Sequence, residues 1–276
     1  MLDLAILFSW ERLLLGLCLA AIIALGARRL GALTPSGAIA AALVGGLTYG
    51  LGGLPAAIIL IAFFGSSSLL SKTSTKRKRK VAADFAKGGR RDWAQVAANG
   101  GVPVLALLAG AGGLLAAPVA WVVFAAALAT VSADTWATEL GVLSKIPPRL
   151  ITTGKSVTPG TSGGVSLLGN LVGLGAAFFI GILAWLVPGS VTIQVVLIAT
   201  AAGVLGSFFD SYLGALVQAT YYCPKCKKET ERHPTHTCGT KTTLRRGWTW
   251  LSNDWVNFLS AAAGALLASG AATIFM

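Results

Sequence analysis

The chain has 276 residues, of which 55% are hydrophobic and only 12% charged, with a mean hydropathy of +0.74 and a formal net charge of +12. Soluble domains carry about 25% charged residues, so this composition excludes a soluble globular protein and indicates an integral membrane protein. The positive charge does not call for a nucleic-acid partner, because it follows a topological pattern: 21 of the 22 Lys and Arg fall at 28–29 or in the segments 72–91, 145–155 and 225–246, whereas the turns near 50–55, 110–118 and 187–191 have none. That asymmetry is the positive-inside signature.

Taken in order, the first apolar run covers about 9–27 and stops at Arg28-Arg29. It does not read as a signal peptide, since Asp3 precedes it and Glu11 and Arg12 interrupt it. Runs at 35–50 and 54–70 follow, parted by Gly52-Gly53-Leu54-Pro55. Each is shorter than the roughly 20 residues of a straight span, so a hairpin of short, Gly-rich helices is expected, which would form a groove for an apolar ligand tail. Residues 71–98 form a basic loop whose second half is expected as an interfacial helix, with Trp93 at the headgroups. Spans are expected at 99–116, 118–133, 163–187, 191–217 and 254–275. The reading is a single all-α membrane domain, 1–276, with eight spans, both termini outside, and loops 71–98, 141–162 and 221–247 on the cytoplasmic side of the cell's inner membrane.

The acidic residues are sparse and placed. Asp134, Glu139, Asp210 and Asp254 lie at the ends of apolar runs on the side of the basic loops. Carboxylates at a membrane boundary are costly unless they face water or bind something. A few carboxylates together with substrate oxygens suit Mg²⁺; the alternative is helix capping. Asp134 and Glu139 are five apart, so a shared site requires the helix to unwind near 135–138. Asp134-Thr135-Trp136 and Asp210-Ser211-Tyr212 repeat an acid, hydroxyl, aromatic order.

The loop at 153–166 brings Lys155, Ser156, Thr158, Gly160, Thr161, Ser162 and Gly163 to the start of a helix. Such a loop holds phosphate through backbone N–H groups and the helix N-terminus, although its order is not that of a P-loop; the alternative is a flexible linker. Lys87, Arg90 and Arg91 form a second set for phosphate. Asn99, Asn170, Asn253 and Asn257 lie near the same helix ends, as ligands or as interhelical hydrogen-bonding groups. Cys223, Cys226, His236 and Cys238 have the composition of a closed structural Zn²⁺ site.

The segments SADTWATELG, TGKSVTPGTSGG, GSFFDSYLGALVQ and NDWVN, in this order, resemble the phytyl-phosphate kinase family of the vitamin E pathway. That family sits within a wider group of CTP-using enzymes that includes polyprenol kinases and CDP-diacylglycerol synthases. The resemblance implies Mg²⁺-dependent transfer of a phosphoryl group from CTP, or another nucleoside triphosphate, to a prenyl monophosphate in the membrane. Asp134, Asp210 and Asp254 would hold Mg²⁺ with Glu139 and Asn257 assisting, and Lys155 with the following glycine loop would hold the nucleotide. Two other readings stay open: a cytidylyltransferase making a CDP-lipid, and a transporter or flippase of phosphorylated lipid or ions. Prenyl chain length, nucleotide, pathway and oligomeric state are not legible in the sequence.

Overall fold

A computed structural model describes residues 9–72, 89–187 and 192–276. Among the described residues, seven helices are long and apolar enough to cross a membrane. They are α1 (Trp10–Arg29), α2 (Pro35–Lys72), α3 (Trp93–Ala111), α4 (Ala117–Gly141), α5 (Leu167–Leu186), α6 (Gln194–Leu216) and α7 (Asn253–Phe275). Two short strands, β1 (Arg149–Leu150) and β2 (Gly164–Val165), brace the loop after α4. Three more, β3 (Thr220–Cys223), β4 (Lys228–Thr230) and β5 (Thr243–Arg246), form an antiparallel sheet between α6 and α7, in the order β4-β3-β5.

Seven is near the expected eight, since the segments expected at 35–50 and 54–70 are the two arms of one element, α2, parted by a kink at Gly53 (φ 65°, ψ −162°), a conformation essentially restricted to glycine. The chain reverses there. Near its start, Gly37 packs against the backbone of Arg91. Near its end, the Arg91 guanidinium donates to Ser68 Oγ (3.0 Å) and lies over the Phe64 ring. Both arms of α2 therefore return to the same end of the bundle, as the expected hairpin requires.

The expected interfacial helix is absent among the described residues. Trp93 is instead the first residue of α3, because Asp92 closes a capping box: Gln95 N–H donates to Asp92 Oδ1 (3.0 Å) and Asp92 N–H to Gln95 Oε1 (3.2 Å). The short sheet in the 221–247 loop was likewise not anticipated; its β pairing has no periodic apolar signal to reveal it.

Helix α4 is the centre of the molecule. Residues 120–133 are buried without interruption, and a helix buried all round is surrounded by others. Close approach is set by small residues: added Cβ atoms on Gly206 and Gly264 would both strike Thr130 Oγ1. Outward-facing leucines and isoleucines such as Ile22, Leu105, Leu171, Leu197 and Leu266 are exposed, as suits a lipid-facing surface. The described parts of the basic loops gather at one end of the bundle, together with the C-terminal end of α4 and the N-terminal ends of α3, α5 and α7.

Candidate functional site

A cavity of about 480 Å³ opens at this polar end, within the size range of ligand sites. Helix α4 supplies Asp134, Thr135, Thr138 and Glu139. The helix continues unbroken to Gly141, so the unwinding expected at 135–138 does not occur. The chamber is wide enough to take both carboxylates from an intact helix. Glu139 accepts a hydrogen bond from Ser71 Oγ at the end of α2.

Helix α6 ends with Asp210, Ser211 and Gly214 in the wall. Asp210 is buried and accepts a hydrogen bond from Ser260 Oγ on α7 (3.0 Å). Helix α7 begins with Asn253, Asp254 and Asn257 in the wall, and Asn257 Nδ2 donates to Asn99 Oδ1 on α3 (3.4 Å). Asn170 lines the chamber from α5.

The glycine loop forms one side, with Gly160, Thr161, Ser162 and Gly163 in the lining. Gly163 has φ +81° and lies against Ala215, where a Cβ would approach within 2.5 Å. The loop is fastened by Arg246 from β5, whose guanidinium donates to Ser162 O (3.2 Å), Gly214 O (3.0 Å) and Ala215 O. A cation at the C-terminus of α6 also complements the helix dipole.

Not every expected residue arrives. Lys155 and Ser156 sit on an exposed hairpin, held by Leu150 N–H donating to Lys155 O (2.9 Å) and by Arg149 Nη1 donating to Gly154 O (2.8 Å). Thr158 bonds Thr161 and is outside the lining. Arg90 turns away to donate to Leu33 O (3.3 Å). Lys87 and the basic run 76–80 lie outside the described residues. Among the described residues, Arg91 is the single cationic side chain in the wall. Burial holds its guanidinium below the usual pKa, and the Glu139 charge acts in the opposite sense.

Gln218 and Glu231 are among the wall residues that the sequence does not single out. Gln218 follows α6, and Glu231 follows β4. Glu231 Oε1 accepts from Gln218 Nε2 (2.8 Å) and Ser162 Oγ (3.1 Å). Nothing in the spacing of the 221–247 loop marks Glu231 apart from Glu229; only the strand pairing carries it to the chamber.

Among the described residues the walls thus hold five carboxylates (Asp134, Glu139, Asp210, Glu231, Asp254) against one guanidinium. They also include residues from the first turns of α3, α5 and α7, and helix N-termini favour anions. The apolar side chains of the wall include Leu174 on α5 and Val204 and Phe208 on α6. Of the α2 hairpin, Ser71 alone reaches the lining of this cavity.

Cys223, Cys226, His236 and Cys238 come together outside the bundle, with one ligand atom from each inside a 4.8 Å sphere of mutual distance. Hydrogen bonds from Thr240, then His236, bring the Cys238 thiol down to about 5, and bonding to Cys238 pushes Cys226 up to about 11.

Comparison with known proteins places this architecture. A family model described as "Integral membrane protein DUF92" matches residues 18–265. The chain belongs to this family. Within DUF92 fall the motifs that resemble the phytyl-phosphate kinases. Protein PGR of Arabidopsis thaliana is 32% identical, over 94% of this chain and 95% of its own length. An uncharacterized membrane protein of Methanocaldococcus jannaschii is 31% identical, over 75% of this chain and 84% of its own. The chloroplastic protein VTE6 of Arabidopsis thaliana is 26% identical, over 86% of this chain and 64% of its own. No solved structure matches the chain.

Proposed function

We propose that this DUF92 member is a phosphotransferase that moves the γ-phosphoryl group of CTP, or another nucleoside triphosphate, onto a prenyl monophosphate. The observation that carries the reading is the charge of the chamber: among the described residues, five carboxylates and one guanidinium beside three helix N-termini. Carboxylates alone would repel phosphates. With divalent cations between them, the same walls bind phosphates, and the helix ends and Arg91 supply the remaining anion contacts.

The donor set is hard oxygen from carboxylate, hydroxyl and amide groups, which fits Mg²⁺. Asp134, Asp210 and Asp254 would hold it, with Glu139 assisting. Bound Mg²⁺ would neutralise phosphate charge as the bond to the leaving group breaks. The acceptor is already a phosphate anion, so no side chain need remove a proton. Its oxygen forms a bond to the γ-phosphorus as the bridging oxygen to the β-phosphorus leaves with its electron pair, giving the prenyl diphosphate and CDP. The chain's own contribution is positioning and charge. The 160–163 loop holds nucleotide phosphates, Arg91 contacts the acceptor phosphate, and the prenyl tail lies across Leu174, Val204 and Phe208 towards lipid. The positive-inside pattern of the basic loops supports a chamber on the cytoplasmic face.

The test is a product assay with purified protein, Mg²⁺, γ-labelled CTP and a panel of phytyl, farnesyl and geranylgeranyl monophosphates. Label in a prenyl diphosphate with release of CDP is the expected result. Labelled pyrophosphate with an unlabelled CDP-lipid would replace the reading by cytidylyl transfer. Absence of turnover from folded protein, across acceptors and nucleotides, would overturn it in favour of transport.

A further inference from the structure

We propose that Cys223, Cys226, His236 and Cys238 bind one Zn²⁺, and that this ion fixes Glu231 in the wall of the chamber. The metal assignment stands on its own geometry; its link to phosphoryl transfer rests on the function proposed above.

Three of the ligand-to-ligand distances are close to those of a tetrahedral zinc site. Ligands at zinc's bond lengths of about 2.3 Å (sulfur) and about 2.0 Å (nitrogen) lie roughly 3.5–3.8 Å apart. Here Cys223 Sγ and Cys238 Sγ are 3.6 Å apart, Cys226 Sγ and His236 Nδ1 3.5 Å, and His236 Nδ1 and Cys238 Sγ 3.3 Å. A disulfide needs sulfurs at about 2.05 Å, so the 3.6 Å pair is not one. The other histidine is otherwise engaged, stacked on Tyr221 with ring centroids 4.4 Å apart. The ligands sit on two tight turns. In the first, Lys227 takes φ +52° between Cys226 and β4; in the second, Gly239 takes φ +78° and His236 N–H donates to Thr240 O (2.9 Å). Three thiolates and a dication leave one negative charge, which Lys225, Lys227 and Lys228 offset. Four protein ligands leave no open position, so the site is structural rather than catalytic.

The excursion from β3 to β5 is too small to build a core of its own, and chains below about 40 residues usually need a metal or a disulfide. What the metal would hold is visible in the register. Cys223 pairs with Lys228 and Tyr221 with Thr230, so the first turn and β4 form one rigid hairpin, with Glu231 at its end. Thr242 Oγ1 braces the next residue by donating to Arg232 O (2.9 Å). From there Glu231 accepts from Ser162 in the glycine loop and Gln218 at the end of α6. The zinc ion is thereby connected to the phosphate-facing loop through a single strand, without entering the chamber.

Two measurements on full-length protein in detergent test this. Metal analysis of wild type, purified without chelator, is expected to find one zinc per chain, and the Cys223→Ser/Cys238→Ser double variant less than a tenth of that. Absence of zinc from wild type after supply of Zn²⁺, or retention by the variant, would overturn the site. Should the variant fail to fold, displacement of zinc from wild type by a mercurial, read with a colorimetric indicator, gives the same stoichiometry. The coupling is read by hydrogen–deuterium exchange before and after that displacement. Exchange at 158–166 is expected to accelerate at least tenfold; unchanged exchange there would overturn the link to Glu231. Neither readout depends on kinase activity, so their failure is distinct from failure of the proposed reaction.

Discussion

Ser260 Oγ on α7 donates to Asp210 Oδ2 on α6 at 3.0 Å, within the buried seam where these helices meet. The serine does not line the chamber; it holds the carboxylate that does. Groups that orient a metal-binding carboxylate are typically worth 10–100-fold in activity or metal affinity. Ser260→Ala is therefore expected to raise the Mg²⁺ concentration for half-maximal turnover by roughly that factor. Asp210→Asn and Asp134→Asn remove the charge itself and are expected to lower kcat on the order of a thousandfold, several kcal/mol of lost charge stabilisation. Mg²⁺ titrations of turnover compare the three. A shift for Ser260→Ala with wild-type Asp210→Asn would remove Asp210 from the site.

Arg246 fastens the glycine loop to the end of α6 through Ser162, Gly214 and Ala215. Arg246→Met leaves those carbonyl oxygens without a charged donor, at about 1–3 kcal/mol for a buried group left unsatisfied. Thermal unfolding in detergent is expected to fall by several degrees, and nucleotide KM to rise more than kcat falls. An unchanged melting profile would show that the loop holds itself.

Lys155 is the sharpest separation between sequence and structure. A lysine in a Gly/Ser/Thr loop is an obvious phosphate ligand, yet here it is exposed on a hairpin beside the chamber rather than in its lining. Lys155→Ala is expected to keep kcat/KM within about a factor of two to three, as for a surface substitution worth about 0.5 kcal/mol. A hundredfold loss would mean that the hairpin closes over bound nucleotide.

Gly53 sets the α2 hairpin. At φ 65° and ψ −162°, a side chain costs on the order of 1–3 kcal/mol. Gly53→Ala is expected to lower the melting temperature by several degrees in detergent while leaving KM unchanged, since the turn is at the opposite end from the chamber. The neighbouring Gly65, with open space at its Cβ position, serves as the control: Gly65→Ala should not destabilise.

The part of this design that the sequence discloses is the part with a strong solvent contrast. Asp134, Asp210 and Asp254 stand out because acids are scarce at the ends of apolar runs, and the hairpin stands out because Gly52-Gly53-Leu54-Pro55 interrupts a short one. Glu231 is invisible for the opposite reason: it is one acid among basic and polar neighbours in a loop, and the β3–β4 register alone aims it inward. Lys155 is exposed outside the lining, unforeseen because loop composition does not say which side of a turn faces a cavity. The unwinding expected between Asp134 and Glu139 came from treating the site as a point. A wide chamber takes two carboxylates from different faces of one unbroken helix.

The uninterrupted burial of α4 across residues 120–133 has a consequence for traffic. That helix fills the middle of the bundle beyond the polar chamber, and Leu174, Val204 and Phe208 are the wall residues across which the lipid tail is proposed to lie. On the proposed reaction, a prenyl chain stays in one leaflet throughout: it arrives sideways, its headgroup is lengthened by one phosphate, and it departs into the same monolayer. Nothing has to be carried across.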